Sequence, residues 1–159
     1  MSTQAKIVSI DEAERICRGH ARLVFTNGVF DILHRGHVTY LEAARELGDA
    51  LLVAVNSDAS AKSLGKGPER PLNADRDRAR VVAALQCTSY VILFDERTPC
   101  AVLDRLKPAV YVKGGDYDIE SLEETKLVRG WGGQALAIPL VEGYSTTALV
   151  QRISTLGRP

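Results

Sequence analysis

Two of the three histidines in this 159-residue chain, His34 and His37, fall three positions apart in the stretch NGVFDILHRGH at residues 27–37. Imidazoles at that spacing can donate hydrogen bonds to one anion. Gly36 between them lets backbone approach a ligand closely. The helix expected to begin around His37 points its first amides, and the positive end of its dipole, toward the same place. Phosphate binding is the chemistry this set suits. Taken alone, H-x-G-H also serves as a surface or capping pair. Zinc binding would need a third ligand, but His20 lies before the first strand and no cysteine sits at a strand end, so no metal site within the protein is expected.

The elements that must position these side chains show as short apolar runs: ARLVFT (21–26), ALLVAV (50–55), YVILF (90–94), AVYVK (109–113) and ALAIPL (135–140). Each run is continuous rather than alternating, the pattern of strands covered on both faces of a parallel sheet. Between them stand segments of helical period at 38–48, 77–85, 98–106 and 121–131, with another at 145–154. Strand and helix alternate throughout, which predicts an α/β fold: a single doubly wound, mainly parallel five-stranded sheet, Rossmann-like, in one domain over 1–159. Ser9-x-x-Glu12 reads as a capping box for a short leading helix over about 9–18. Thr98-Pro99 reads as an N-cap with proline in the first turn, and Gly48 as a helix stop. The core spans about 21–156. SLGKGPERPLN (63–73), with its glycines, prolines and charges, should be a mobile surface loop. The histidine stretch follows the first strand, at the carboxyl edge where open α/β sheets bind ligands.

Composition narrows the function. Twenty basic and twenty acidic residues cancel, which removes the simplest argument for a nucleic-acid or anionic-membrane partner and leaves phosphate chemistry to a local pocket. Cys17, Cys87 and Cys100 lack C-x-x-C spacing and are expected to be reduced. No run approaches the roughly 20 apolar residues of a membrane span, and the start lacks a signal-peptide pattern, so a cytoplasmic protein is expected. Gly65-x-Gly67 lacks the third glycine of a dinucleotide fingerprint, and no P-loop is present.

The wider motif Gly28-x-Phe30-Asp31-x-x-His34-x-Gly36-His37 resembles the G-x-F-D-x-x-H-x-G-H signature of the cytidylyltransferase-like nucleotidyltransferases. Ser145-Thr146-Thr147 is similar to the second signature of that superfamily. Within it, the blocks TNGVFDILHRGHVTYLEAARELGD, VAVNSD, RPLN, FDERTP, VKGGDY and GYSTT look in order like those of the heptose 1-phosphate adenylyltransferases, from Phe25 to Ile153.

The resemblance implies roles. His34 and His37 would bind the α-phosphate of ATP and stabilise the charge that develops on it. Lys66 would close over the triphosphate or sugar phosphate, with Lys62 as the alternative if the loop aligns differently. Arg78 matches the arginine of the family, whereas Arg76 and Arg80 read as exposed charges making local pairs. Thr26, Asn27, Gly28, Phe30 and Gly36 are implied nucleotide contacts. So are Lys113, Gly115 and Asp116, whose carboxylate can accept from a ribose hydroxyl, and Ser145, Thr146 and Thr147, which would receive the terminal phosphates. Asp31, Asn56 and Asp58 are implied on the acceptor side, Asp31 for orientation, because a sugar phosphate already anionic at neutral pH needs no general base.

The implied reaction is transfer of AMP from ATP to D-glycero-β-D-manno-heptose 1-phosphate, with Mg²⁺ arriving on the nucleotide, for lipopolysaccharide core synthesis. A CTP-dependent cytidylyltransferase acting on glycerol 3-phosphate or a related phosphorylated alcohol would share both signatures. A nucleotide-binding regulator without chemistry would keep the pocket. The resemblance further implies a homo-oligomer, a dimer or larger, and a separate heptose kinase upstream.

Overall fold

The computed structural model describes residues 2–65, 67, 70–115 and 118–156. Its centre is one five-stranded, wholly parallel sheet, β1 (Leu23–Gly28), β2 (Ala50–Asn56), β3 (Tyr90–Phe94), β4 (Val110–Gly114) and β5 (Gln134–Ile138), in the order β3-β2-β1-β4-β5. The chain winds outward from β1 to β3, then returns to the other side of β1 for β4 and β5. That reversal opens a crevice at the carboxyl ends of β1 and β4.

Two apolar layers sandwich the sheet. Phe25, Leu52, Ile92 and Tyr111 face α1 (Ile10–Gly19), α5 (Cys100–Leu106) and α6 (Glu123–Gly130). Val24, Leu51, Val53 and Val112 face α2 (Arg35–Arg45) and α4 (Asp75–Ala83). Each of these side chains is removed from water, contributing about 1.5–3 kcal/mol apiece relative to exposure. The continuous apolar runs therefore have the physical cause expected of them in β1 to β4. β5 does not. As an edge strand it buries only Ala135 fully, and the run continuing to Leu140 leaves the sheet after Ile138.

Helix ends adjust several expectations. Ser9 and Glu12 form both halves of the capping box of α1. α2 starts at Arg35 with His34 as its N-cap residue, so His37 lies inside the first turn rather than before it. α5 starts at Cys100 and takes Pro99 as N-cap, one residue later than Thr98-Pro99 implied. Gly48 lies beyond the C-cap of α2, Glu46. A Cβ there would stand 2.1 Å from the Arg22 carbonyl oxygen, so this glycine admits close approach to the start of β1 instead of ending the helix. A six-residue helix, α3 (Asp58–Ser63), was not foreseen, because six residues are too few to display a helical period; Ser57 caps it by accepting from the Ser60 amide. The last helix, α7 (Thr146–Leu156), has no buried residue. No helix among the described residues is long and apolar enough to cross a membrane.

Candidate active site

At the carboxyl edge of the sheet, the loop after β1, the ends of β4 and β5 and the start of α7 enclose a cavity of about 580 Å³. His34 and His37 line it with their rings stacked, centroids 3.9 Å apart and planes 20° from parallel. Helical geometry produces the stack: residues at N-cap and third position come one above the other, and Gly36 leaves room between them. A Cβ on Gly36 would meet His34 Nδ1 at 3.0 Å and Tyr144 Cβ at 3.1 Å. His34 Nδ1 is buried with no hydrogen-bond partner among the described residues. Burial lowers the pKa of His34 from its ordinary value, so at neutral pH the ring is a neutral donor rather than a fixed cation.

Behind the histidines, Phe30 adopts a left-handed backbone conformation, φ 50°. This costs a non-glycine residue about 1–3 kcal/mol and is retained where surrounding structure compels it. The turn folds the Phe30 ring over Gly28, where a Cβ would come within 2.9 Å of it, and sets the ring edge-on to His37 at 5.4 Å.

The opposite wall is built by the last loop. Ser145 caps α7 by accepting from the Ala148 amide at 3.0 Å, and Thr146 Oγ1 donates to the Ile32 carbonyl at 3.4 Å. The latter bond joins the start of α7 to the histidine loop across 114 positions of sequence. Ser145, Thr146 and Thr147 all line the cavity beside Lys113 and Gly114 at the end of β4. Asn27, Gly28 and Gly36 line it as well, and Tyr111 donates to Asn27 Oδ1 at 3.3 Å. The structure thus gathers His34, His37, Asn27, Gly28, Phe30, Asp31, Gly36, Lys113 and Ser145–Thr147 around one space. Gly115 stands just behind, at φ 128°. Lys66 and Asp116 lie outside the described residues, and Lys62 is exposed on α3.

Four expected contacts do not reach that space. Thr26 is fully buried, its hydroxyl 2.6 Å from that of Tyr40, which in turn donates to the Val112 carbonyl. Asn56 is buried and donates to Ser60 Oγ. Asp58 accepts from Arg78 at 2.8 Å. Arg78, expected among the catalytic residues, has a side chain with no exposed surface and spends its guanidinium on the Val29 and Asn73 carbonyls and on Asp58. It holds the loop after β1 through the Val29 carbonyl and does not line the cavity. Arg80, expected to pair locally, reaches Gln4 instead.

Asp31 lines the cavity, yet its carboxylate is committed to protein partners: the amides of Leu72 and Asn73 and the guanidinium of Arg70, at 2.8–3.0 Å. Burial acts to raise its pKa, but the Asn73 and Leu72 amides and Arg70 outweigh that and hold it below the usual carboxylate range. A group depressed on folding stabilises the fold above its unfolded pKa of about 4 and loses that contribution as pH falls through its folded value. Asp31→Asn should therefore lower the urea midpoint at pH 7, by roughly 2–4 kcal/mol in stability. Its deficit against the parent should shrink on acidification through the carboxylate range. A gap independent of pH would assign the loss to packing.

Sequence reasoning missed Arg70 and Tyr144, both in the cavity wall. Tyr144 stands 6.3 Å from the His34 ring and under the Arg35 guanidinium at 5.8 Å. The only signal for either was its place inside a quoted block, RPLN and GYSTT, where it served as a marker.

Comparison with known proteins accords with this geometry. The chain is 54% identical over 151 residues to D-beta-D-heptose 1-phosphate adenylyltransferase of Bordetella bronchiseptica, covering 95% of this chain and 91% of that one. It is 51% identical over 144 residues to the bifunctional protein HldE of Magnetococcus marinus, covering 89% of this chain but 29% of that protein. Among solved structures, the lipopolysaccharide core biosynthesis protein of Thermoplasma volcanium superposes with a TM-score of 0.64 at 28% identity, over 78% of this chain and 98% of that one. Pantoate-beta-alanine ligase of Francisella tularensis, at 13% identity, shares the fold with a TM-score of 0.57 over 96% of this chain and 79% of that one. The family model described as cytidylyltransferase-like matches residues 25–152. That match runs from the strand that carries the histidine loop into the helix opened by Ser145–Thr147, and the chain belongs to the cytidylyltransferase-like family.

Proposed function

We infer that this chain is an adenylyltransferase that moves AMP from ATP onto D-glycero-β-D-manno-heptose 1-phosphate, releasing pyrophosphate and giving ADP-heptose. The observation that carries the reading is the stacked His34–His37 pair facing the start of α7 across one cavity, in a chain 54% identical to a protein named for that activity. An oxygen of the sugar phosphate attacks the α-phosphorus. The bond from that phosphorus to the bridging oxygen breaks, and pyrophosphate leaves with the electron pair. The attacking oxygen is already anionic at neutral pH, so no side chain takes a proton and no enzyme-bound intermediate forms.

Catalysis then consists of positioning and charge stabilisation. His34 and His37 donate to the α-phosphate oxygens as charge builds there. The first amides of α7 and the hydroxyls of Thr146 and Thr147 receive the β- and γ-phosphates. Lys113 and Asp116 serve the ribose side, and Lys66 supplies a flexible cation. Mg²⁺ carried in with the triphosphate would supply charge neutralisation on the pyrophosphate side. Among the described residues no three His, Cys, Asp or Glu side chains gather as ligands, and Asp31 is already occupied. An ion that arrives with the nucleotide would need no dedicated protein cage.

The acceptor requires a preceding phosphorylation, so a sugar kinase activity belongs upstream, and the product suits lipopolysaccharide core synthesis in the cytoplasm. A homo-oligomer is part of the reading. Ile153 and Leu156 on α7 and Leu136 on β5 leave apolar surface uncovered, which a second copy would cover. Pyrophosphate release measured with ATP or CTP, each offered with heptose 1-phosphate or glycerol 3-phosphate, tests the assignment. ATP with heptose 1-phosphate should exceed every other pairing by about 100-fold or more, a difference of roughly 3 kcal/mol in transition-state binding; turnover confined to CTP would overturn it.

A further inference from the structure

The cavity has two walls, and only one has a role so far. Lys113, Tyr144 and Ser145–Thr147 belong to the β4–β5 side; Ala61, Arg70 and Pro71 come from the chain that follows β2. Because β2 and β4 flank β1 on opposite sides, these walls stand on opposite sides of the histidine loop. Displacement at phosphorus places the entering and leaving oxygens in line. With pyrophosphate departing toward α7, the attacking sugar phosphate enters from the wall that holds Arg70, the cation that wall supplies among the described residues.

Arg70 is built for such a task. Its Nη1 donates to Asp31 Oδ2 at 2.9 Å, and the Asp31 carboxylate, 5% exposed, is itself fixed by the Leu72 and Asn73 amides. The other guanidinium donors have no partner among the described residues, and the side chain keeps 17% of its surface, at the cavity it lines. A guanidinium anchored on one edge and open on the other has already lost much of its rotational freedom. Its remaining fork of N–H groups matches a phosphate bidentately.

We propose that Arg70, oriented by Asp31, binds the phosphate of the acceptor sugar and aims its oxygen at the α-phosphorus. The proposal rests on the adenylyltransferase reading and names the substrate subsite within it. Steady-state kinetics of Arg70→Ala and Arg70→Lys, with each substrate varied in turn, test it. In Arg70→Ala the KM for the sugar phosphate should rise about 30-fold or more, as for loss of hydrogen bonds to a charged group, while the KM for ATP stays within about threefold. Equal rises in both KM values, or no rise in either, would overturn the role.

Should the alanine variant fail to fold, Arg70→Lys decides. It keeps the charge but loses the fork, so the sugar phosphate KM should still rise about fivefold or more; an unchanged value overturns the proposal. Failure of the parent to turn over any acceptor would sink the adenylyltransferase reading alone. Arg70 would then be judged by thermal melting with inorganic phosphate, which should stabilise the parent more than Arg70→Lys at the same concentration; equal stabilisation of both would reject the subsite.

Discussion

His37→Ala is expected to fold as the parent does and to lose about 10²- to 10³-fold in kcat, read as pyrophosphate release at saturating ATP and sugar phosphate. The ring sits in the first turn of α2, stacked on His34 and edge-on to Phe30. It is only half-buried, so its removal costs the core little. Its proposed action is on charge that grows during displacement. KM for ATP should therefore move much less than kcat, because a contact strengthened only in the transition state leaves ground-state binding nearly unchanged. Loss confined to KM would make the ring a binding contact. An unchanged kcat would remove the histidines from the chemistry altogether.

Much of this layout was legible in the sequence because its causes are local. Strands covered on both faces must be apolar at every position, and β1 to β4 announce themselves for that reason. The histidine loop was legible from its place after the first strand, and Ser145–Thr147 from its likeness to a second signature, because both are short contiguous segments. What escaped depends on partners far along the chain. Gly48 looked like a helix stop, since sequence shows a missing side chain but not the Arg22 carbonyl that occupies its place. β5 looked like its neighbours, since an apolar run does not reveal whether a helix covers it. Asp31 and Arg70 were readable as charges, yet their pairing spans 39 positions. That pairing turns one into a brace and leaves the other facing the cavity.

Arg78 shows the same limit most sharply, and it yields the second large effect. Arg78→Ala should lower the melting temperature by about 10 °C, corresponding to roughly 3–5 kcal/mol in a chain of this length. The guanidinium donates to the Val29 carbonyl at 2.6 Å, the Asn73 carbonyl at 2.9 Å and Asp58 at 2.8 Å. Truncation leaves a void where the buried guanidinium lay and takes a charged donor from the Val29 and Asn73 carbonyls, each such loss costing about 1–3 kcal/mol, whereas Asp58, 39% exposed, regains water. Lysine cannot rescue it, because one ammonium on a flexible stem does not reproduce three donors fixed in a plane. Val29 lies between Gly28 and Phe30, so the same loss loosens the turn that sets Phe30 behind His37. Activity should fall with stability, and both should be reduced in Arg78→Lys. A variant that melts like the parent yet has lost its turnover would return Arg78 to the catalytic residues. A large fall in melting temperature, with kcat at low temperature reduced far less than in His37→Ala, would establish it as the brace beneath the site.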